Sequence, residues 1–241
     1  MRTAIVMGVG PVRGLGAQLC VRFADPKADG LHVLVAGRSQ DKLDAVVTAI
    51  QQNGGSAEAV IADATVEADV VDLFDRAGDN LDLAIYNAGN NTPGKIFDMS
   101  ADYFETSWRI CCFGGFLFGR EALRRMQPKG HGTILFTGAS ASMRGRANFG
   151  AFNSSKAALR NFAQAMAKEC GPEGIHVGHV VVDGPIGGDK IIQGFPQYAE
   201  KLGDAGMISI EGIVDGFAYL YHQPARAWSF EIDVRTSLER W

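Results

Sequence analysis

The residues best spaced for chemistry lie in the first 25 positions of this 241-residue chain. Thr3 to Met7 is a short apolar β-forming run, Gly8 to Gly16 reads GVGPVRGLG, and Leu15, Leu19 and Phe23 then recur at helical spacing. Glycines in such a turn let the backbone approach a pyrophosphate closely. The helix that follows adds unpaired N–H groups and the positive end of its dipole. The pattern predicts a dinucleotide site lined by Gly8, Gly10, Gly14, Leu15 and Gly16. An ordinary βα connection is the alternative reading of a glycine-rich turn taken alone.

Two arginines qualify that site. After the second apolar run, Leu31 to Ala36, the chain reads Gly37-Arg38, where a site for NAD carries an acidic residue that holds the ribose 2′-hydroxyl. A guanidinium there suits a 2′-phosphate, and Arg13, directly before Gly14, offers a second positive charge. The pair predicts NADP(H).

With 46% hydrophobic residues and no Pro/Ser-rich or charged linker, residues 1–241 are expected to form one α/β domain. A net charge of −4 with no basic run provides no attraction for nucleic acid or an anionic membrane, so a small-molecule substrate is expected. The sequence enters its first strand at once, and no apolar run reaches the ~18 residues of a membrane span. A cytoplasmic location is expected. Cys20, Cys111, Cys112 and Cys170 form no C-x-x-C pair and are read as reduced and packed. No metal site is expected, and His131, His176 and His179 receive no role.

Around the glycine-rich start the pattern alternates. Strands are predicted at Ala57 to Ala62, Leu81 to Tyr86, Gly132 to Thr137, Ile175 to Val182 and, last and short, Phe230 to Val234. Helices are predicted after Arg38 with Leu43, Val46, Val47 and Ile50 inward, over Val66 to Gly78, over Tyr103 to Met126 and over Ala151 to Cys170. Together with the first two strands this implies a Rossmann-type, doubly wound parallel sheet of about seven strands in three α/β/α layers.

At Asn87-Ala88-Gly89, which ends the fourth strand, the chain resembles the short-chain dehydrogenase/reductase family, and the resemblance covers nearly the whole length. The family's TGxxxGxG loop is here lengthened by two residues. The resemblance implies that Asp63 contacts adenine, that Asn87, Ala88 and Gly89 support the central sheet, and that Gly184, Pro185 and Ile186 lie on the cofactor side. It also implies a homodimer or homotetramer built on the two long helices. The family's enzymes use a Ser, a Tyr and a Lys in Tyr-x-x-x-Lys, and an Asn. Lys156 matches the lysine and is expected to hold the nicotinamide ribose, but the Tyr, Ser and Asn positions fall on Phe152, Ala139 and Cys111.

A phenyl ring has no ionisable proton, so substitute groups matter. Ser140 and Ser142 lie just past Ala139; Ser140 either orients a carbonyl or satisfies loop backbone. Asp183 either acts as an acid of raised pKa near the nicotinamide or caps the turn before Gly184-Pro185. Arg144 and Arg146 either hold an anionic substrate group or stand exposed, or at a subunit interface. Cys111 is read as packing rather than as a reactive thiol. Residues 186–210, glycine-rich, are read as a mobile substrate lid. Two functions remain open: an atypical oxidoreductase moving hydride between NADP(H) and a small carbonyl or alcohol, and a catalytically silent NADP(H)-binding protein with a sensor or scaffold role.

Overall fold

A computed structural model describes residues 1–239. Seven parallel strands form one sheet: β1 (Thr3–Met7), β2 (His32–Gly37), β3 (Ser56–Ile61), β4 (Leu81–Tyr86), β5 (Gly132–Thr137), β6 (Ile175–Val182) and β7 (Glu231–Val234), in the order β3-β2-β1-β4-β5-β6-β7. Burial follows position in the sheet. Every residue of β1 and of β6 is buried, as a strand covered on both faces requires, whereas the edge strands β3 and β7 are mostly half-buried.

The helices are α1 (Leu15–Ala24), α2 (Gln40–Gln52), α3 (Glu67–Ala77), α4 (Ala101–Trp108), α5 (Gly114–Met126), α6 (Gly150–Cys170), α7 (Asp189–Ile192), α8 (Pro196–Leu202) and α9 (Ile210–His222). One core joins α1, α2 and α9 to the sheet through Leu19, Phe23, Leu43, Val46, Ile213 and Phe217. The other joins α3, α5 and α6 through Leu73, Phe74, Leu117, Phe118, Leu159 and Met166. The expected three layers are therefore present.

One element differs from expectation. The long helix predicted from Tyr103 to Met126 is interrupted by a π-helical turn at Arg109–Phe113, where Gly114 N–H donates to the Arg109 carbonyl. At this turn the buried Tyr86 hydroxyl donates to the Ile110 carbonyl at 2.5 Å. Residues 186–210, expected as a mobile lid, carry the short helices α7 and α8. Their base is tied down by a bridge between Ile186 and Ile208 and by Ile208 N–H donating to Pro185 O at 2.8 Å.

Candidate functional site

In a doubly wound sheet a ligand crevice opens where neighbouring strands send their connections to opposite faces. Here that point lies between β1 and β4. At the end of β1, Gly8 has φ +96°, and a Cβ on it would stand 2.5 Å from Ala88 N. Only glycine fits, because the loop after β1 lies against the turn after β4. Asn87 stitches three strands at this level. Its backbone N–H donates to Met7 O at 2.8 Å, its Nδ2 donates to Gly8 O at 3.1 Å, and its Oδ1 accepts the Thr137 hydroxyl at 3.0 Å. The lengthened loop is tied internally by Gly14 N–H to Pro11 O at 2.9 Å and by Gln18 Nε2 to Val12 O at 2.8 Å. Gly16 sits in the first turn of α1 behind it, buried with Leu15.

A Cβ at Gly10 would meet no atom within 4 Å, so the protein's own packing does not require glycine there. The open space at Gly10 and the exposed backbone of the loop fit a phosphate cradle. Arg13 is exposed on the loop, and its carbonyl accepts Asp189 N–H from the start of α7 at 3.1 Å. Helix α7 thus starts against the glycine-rich loop.

Arg38, 71% exposed, leaves β2 with its Nη1 3.9 Å from Asp63 Oδ2. Asp63 accepts hydrogen bonds from Thr65 N and Oγ1, each 2.8 Å. Burial alone would raise its carboxyl, but the Thr65 bonds and the guanidiniums of Arg38 and Arg109 outweigh burial and hold it below the usual range. A cation and an anion thus flank the end of β2.

Lys156 is 4% exposed and lies over the Asn87-Ala88-Gly89 turn; a Cβ on Gly89 would be 3.5 Å from its Nζ. Among the described residues its one hydrogen bond is to the Thr137 carbonyl, at 2.7 Å. An ammonium carries three donors, so this buried group has capacity for a ligand's hydroxyls. Burial pushes its pKa down, partly offset by nearby Cys111. The Phe152 ring, one helical turn earlier, has its centroid 6.0 Å from Nζ. Cys111 lies in the π-helical turn, fully buried, and its Sγ donates to Asn90 Oδ1 at 3.7 Å, while Asn90 Nδ2 donates to the buried Ser107 hydroxyl at 2.9 Å. The environment of Cys111 is that of a packed thiol, and burial, followed by the effect of Cys111, raises the Cys112 thiol.

Asp183 is not placed as an acid. It is 2% exposed and receives Arg144 Nη1 at 3.1 Å and Nη2 at 2.8 Å, with Arg235 Nη1 at 3.4 Å. Both oxygens of this carboxylate are engaged by guanidinium donors. Arg144, with a 41% exposed side chain, thus binds the chain's own carboxylate and reaches Glu239 at 3.5 Å. Arg146 stays exposed over the Phe149 ring at 5.3 Å. Ser140 opens the turn after β5, next to Ala139 and partly exposed. Gly184, Pro185 and Ile186 leave β6 beside the Ile186–Ile208 bridge. His179, to which the sequence assigned nothing, is fully buried between Ser142 and Glu231. No periodicity announces this contact, because its partners are 37 and 52 residues away.

A family model for short chain dehydrogenases matches residues 2–186, and the chain belongs to that family. It is 30% identical over 201 residues to versicolorin reductase stcU of Emericella nidulans, spanning 82% of this chain and 74% of that protein. It is 32% identical over 179 residues to the 7alpha-hydroxysteroid dehydrogenase of Escherichia coli K12, spanning 73% and 68%. With an uncharacterized oxidoreductase, YuxG, of Bacillus subtilis it shares 31% identity over 78% of its own length but only 28% of that protein's. Among solved structures, a short-chain dehydrogenase from Rhodopseudomonas palustris superposes with a TM-score of 0.82 at 33% identity, covering 97% and 98% of the two chains. A 7 alpha-hydroxysteroid dehydrogenase in complex with NADH and 7-oxo glycochenodeoxycholic acid gives 0.86 at 27% identity, covering 98% and 93%. Among the described residues no helix is long and apolar enough to cross a membrane, and no cluster of potential metal ligands is present.

Proposed function

We propose that this chain is an NADP(H)-dependent oxidoreductase acting on a small carbonyl or alcohol, with its nucleotide across the carboxyl ends of β1 and β4. The observation that carries the reading is Lys156: a buried ammonium over the Asn87-Ala88-Gly89 turn with one protein hydrogen bond. Its remaining donors suit the hydroxyls of a ribose. Relatives named as reductases and dehydrogenases support the same chemistry. Arg13 and Arg38 select the phosphorylated cofactor, since the position directly after β2 carries the 71% exposed guanidinium of Arg38 in place of a carboxylate for a 2′-hydroxyl.

When bound, the reduced cofactor supplies the hydride. Lys156 would then fix the ribose and Ser140 would offer a hydroxyl to the carbonyl oxygen; because the Phe152 ring walls the site without moving a proton, the alkoxide left by hydride addition would take its proton from solvent water. Asp183 anchors the exit of β6 through Arg144. A missing general acid costs ~10²–10⁴ in rate, so turnover is slow on ordinary carbonyls. The free thiols of Cys20, Cys111, Cys112 and Cys170 suit the cytoplasm. Exposed Phe104, Trp108 and Phe116 on α4 and α5 suit a homodimer or homotetramer contact.

Phe152 and Ala139 favour a second reading, a silent NADP(H)-binding protein with a sensor or scaffold role. Fluorescence titration with NADPH and NADH, followed by incubation of stoichiometric NADPH with a carbonyl panel, separates the two. Oxidation of NADPH supports the enzyme, and tight binding without oxidation supports the silent binder.

A further inference from the structure

Beneath the turn that carries Ser140 runs a polar chain, partly buried at Arg160 and Glu231 and fully buried at His179, that the reaction as described does not use. Arg160 of α6 grips Glu231 of β7 with two parallel bonds, Nε to Oε2 at 2.6 Å and Nη2 to Oε1 at 2.8 Å. Glu231 Oε2 lies 2.9 Å from His179 Nδ1, and His179 Nε2 lies 3.4 Å from the Ser142 hydroxyl. Ser142 Oγ in turn accepts the Ala139 N–H at 3.2 Å, while Ser142 N–H donates to Ala139 O at 2.8 Å.

The donors fix the direction of this chain. Hydrogen bonds from His179 and Arg160 outweigh burial and hold the Glu231 carboxyl at about 2, so it only accepts. His179 must therefore carry its proton on Nδ1, which leaves Nε2 as acceptor for the Ser142 O–H. Burial lowers the His179 pKa, and the nearby charges of Lys156 and Arg160 add to this against the opposing pull of Glu231, which favours the neutral ring. Sterics agree with the polar account. The imidazole occupies the space of a side chain at position 138: a Cβ on Gly138 would stand 2.3 Å from His179 Cε1 and Nε2. The ring is thus wedged directly under the exit of β5.

We propose that His179 is a positioning residue: backed by Glu231 and Arg160, its imidazole fixes the Ser140–Ser142 turn through Ser142, and so sets the Ser140 hydroxyl at the substrate edge of the cleft. The proposal rests on the reading of that turn as substrate-facing. Its structural half can be measured without any substrate.

The experiment joins imidazole ¹⁵N spectra, amide hydrogen exchange and kinetics for wild type, Ser142→Ala and Glu231→Gln. In the wild type at pH 7 the His179 signals should be those of a neutral ring protonated on Nδ1. Ser142→Ala should keep that tautomer while exchange of the Ala139 amide rises about tenfold, the effect of one lost hydrogen bond. Its kcat on a carbonyl that the wild type reduces should fall by a similar factor, with KM and NADPH affinity little changed. Glu231→Gln should release the tautomer and give the same loosening of the turn. A wild-type ring protonated on Nε2, or exchange at Ala139 unmoved in Glu231→Gln, overturns the proposal, because Ser142→Ala removes the acceptor of the Ala139 N–H directly. Faster exchange in variants of a protein that oxidises no NADPH upholds the positioning of the turn and overturns the reductase reading instead.

Discussion

At Lys156 and Asp183 burial has opposite consequences, decided by partners. Lys156 keeps donor capacity inside the fold, whereas the Asp183 carboxylate is saturated by Arg144 and Arg235. Asp183→Asn should accordingly act on stability: with the Arg144 side of the pair 41% exposed, losing the charge costs about 1–3 kcal/mol, read as a lower urea midpoint, with cofactor affinity retained. Retained stability with lost turnover would return Asp183 to the chemistry. For Arg38 the expected effect is on selectivity. The wild type should bind NADPH at least several-fold more tightly than NADH, and Arg38→Asp should narrow or reverse that preference in a fluorescence titration. Equal wild-type affinities would remove the 2′-phosphate assignment. The loop glycines were legible as residue types, and Lys156 and Phe152 on α6, with Ala139 after β5, were legible against the family pattern. The commitment of Asp183 was not, because Arg144 is 39 residues away and nothing in local composition ties the two together.

At the scale of elements, Leu81–Tyr86, Gly132–Thr137 and Ile175–Val182 form strands with the bounds that their apolar runs suggest, since strands covered on both faces carry their signal in every residue. The edge strand β7 begins one residue later than expected, at Glu231, where the polar side chain serves His179 and Arg160. The π-helical turn was invisible to periodicity, because α4 and α5 each keep an ordinary helical pattern on either side of it. Its packing is specific. A Cβ on Gly115 would come 2.4 Å from Leu159 Cδ1, so α5 and α6 approach closely at that point. Leu159→Ala should leave a cavity beneath this contact and cost about 2–5 kcal/mol in chemical denaturation. A loss under ~1 kcal/mol would mean that the two helices do not depend on this contact.

For the whole molecule, acid sensitivity follows from groups held in their deprotonated forms. Burial lowers His176 and His179, and Glu231 is held at about 2. Each folded value lies below the unfolded one, so the unfolded chain binds more protons at low pH. Stability should be fully present above about pH 6.5, begin to fall as the histidines of the unfolded chain protonate, and fall further below about pH 4.5 as Glu231 is drawn toward protonation. Thermal melts between pH 8 and pH 4 check this, and a melting temperature that rises on acidification would contradict it. On the proposed reading, the fold as a whole joins a cofactor cleft supported from β1, β4 and β5 to a proton-donor position that holds the Phe152 ring. The most direct test is a single-turnover assay with stoichiometric NADPH and a reactive carbonyl, comparing the wild type with Phe152→Tyr/Ala139→Ser. The predicted result is slow oxidation of NADPH by the wild type and a faster reaction in the double variant, gaining part of the ~10²–10⁴ that a general acid supplies. A folded, NADPH-binding double variant that oxidises no more cofactor than buffer, alongside an equally inert wild type, would contradict the account.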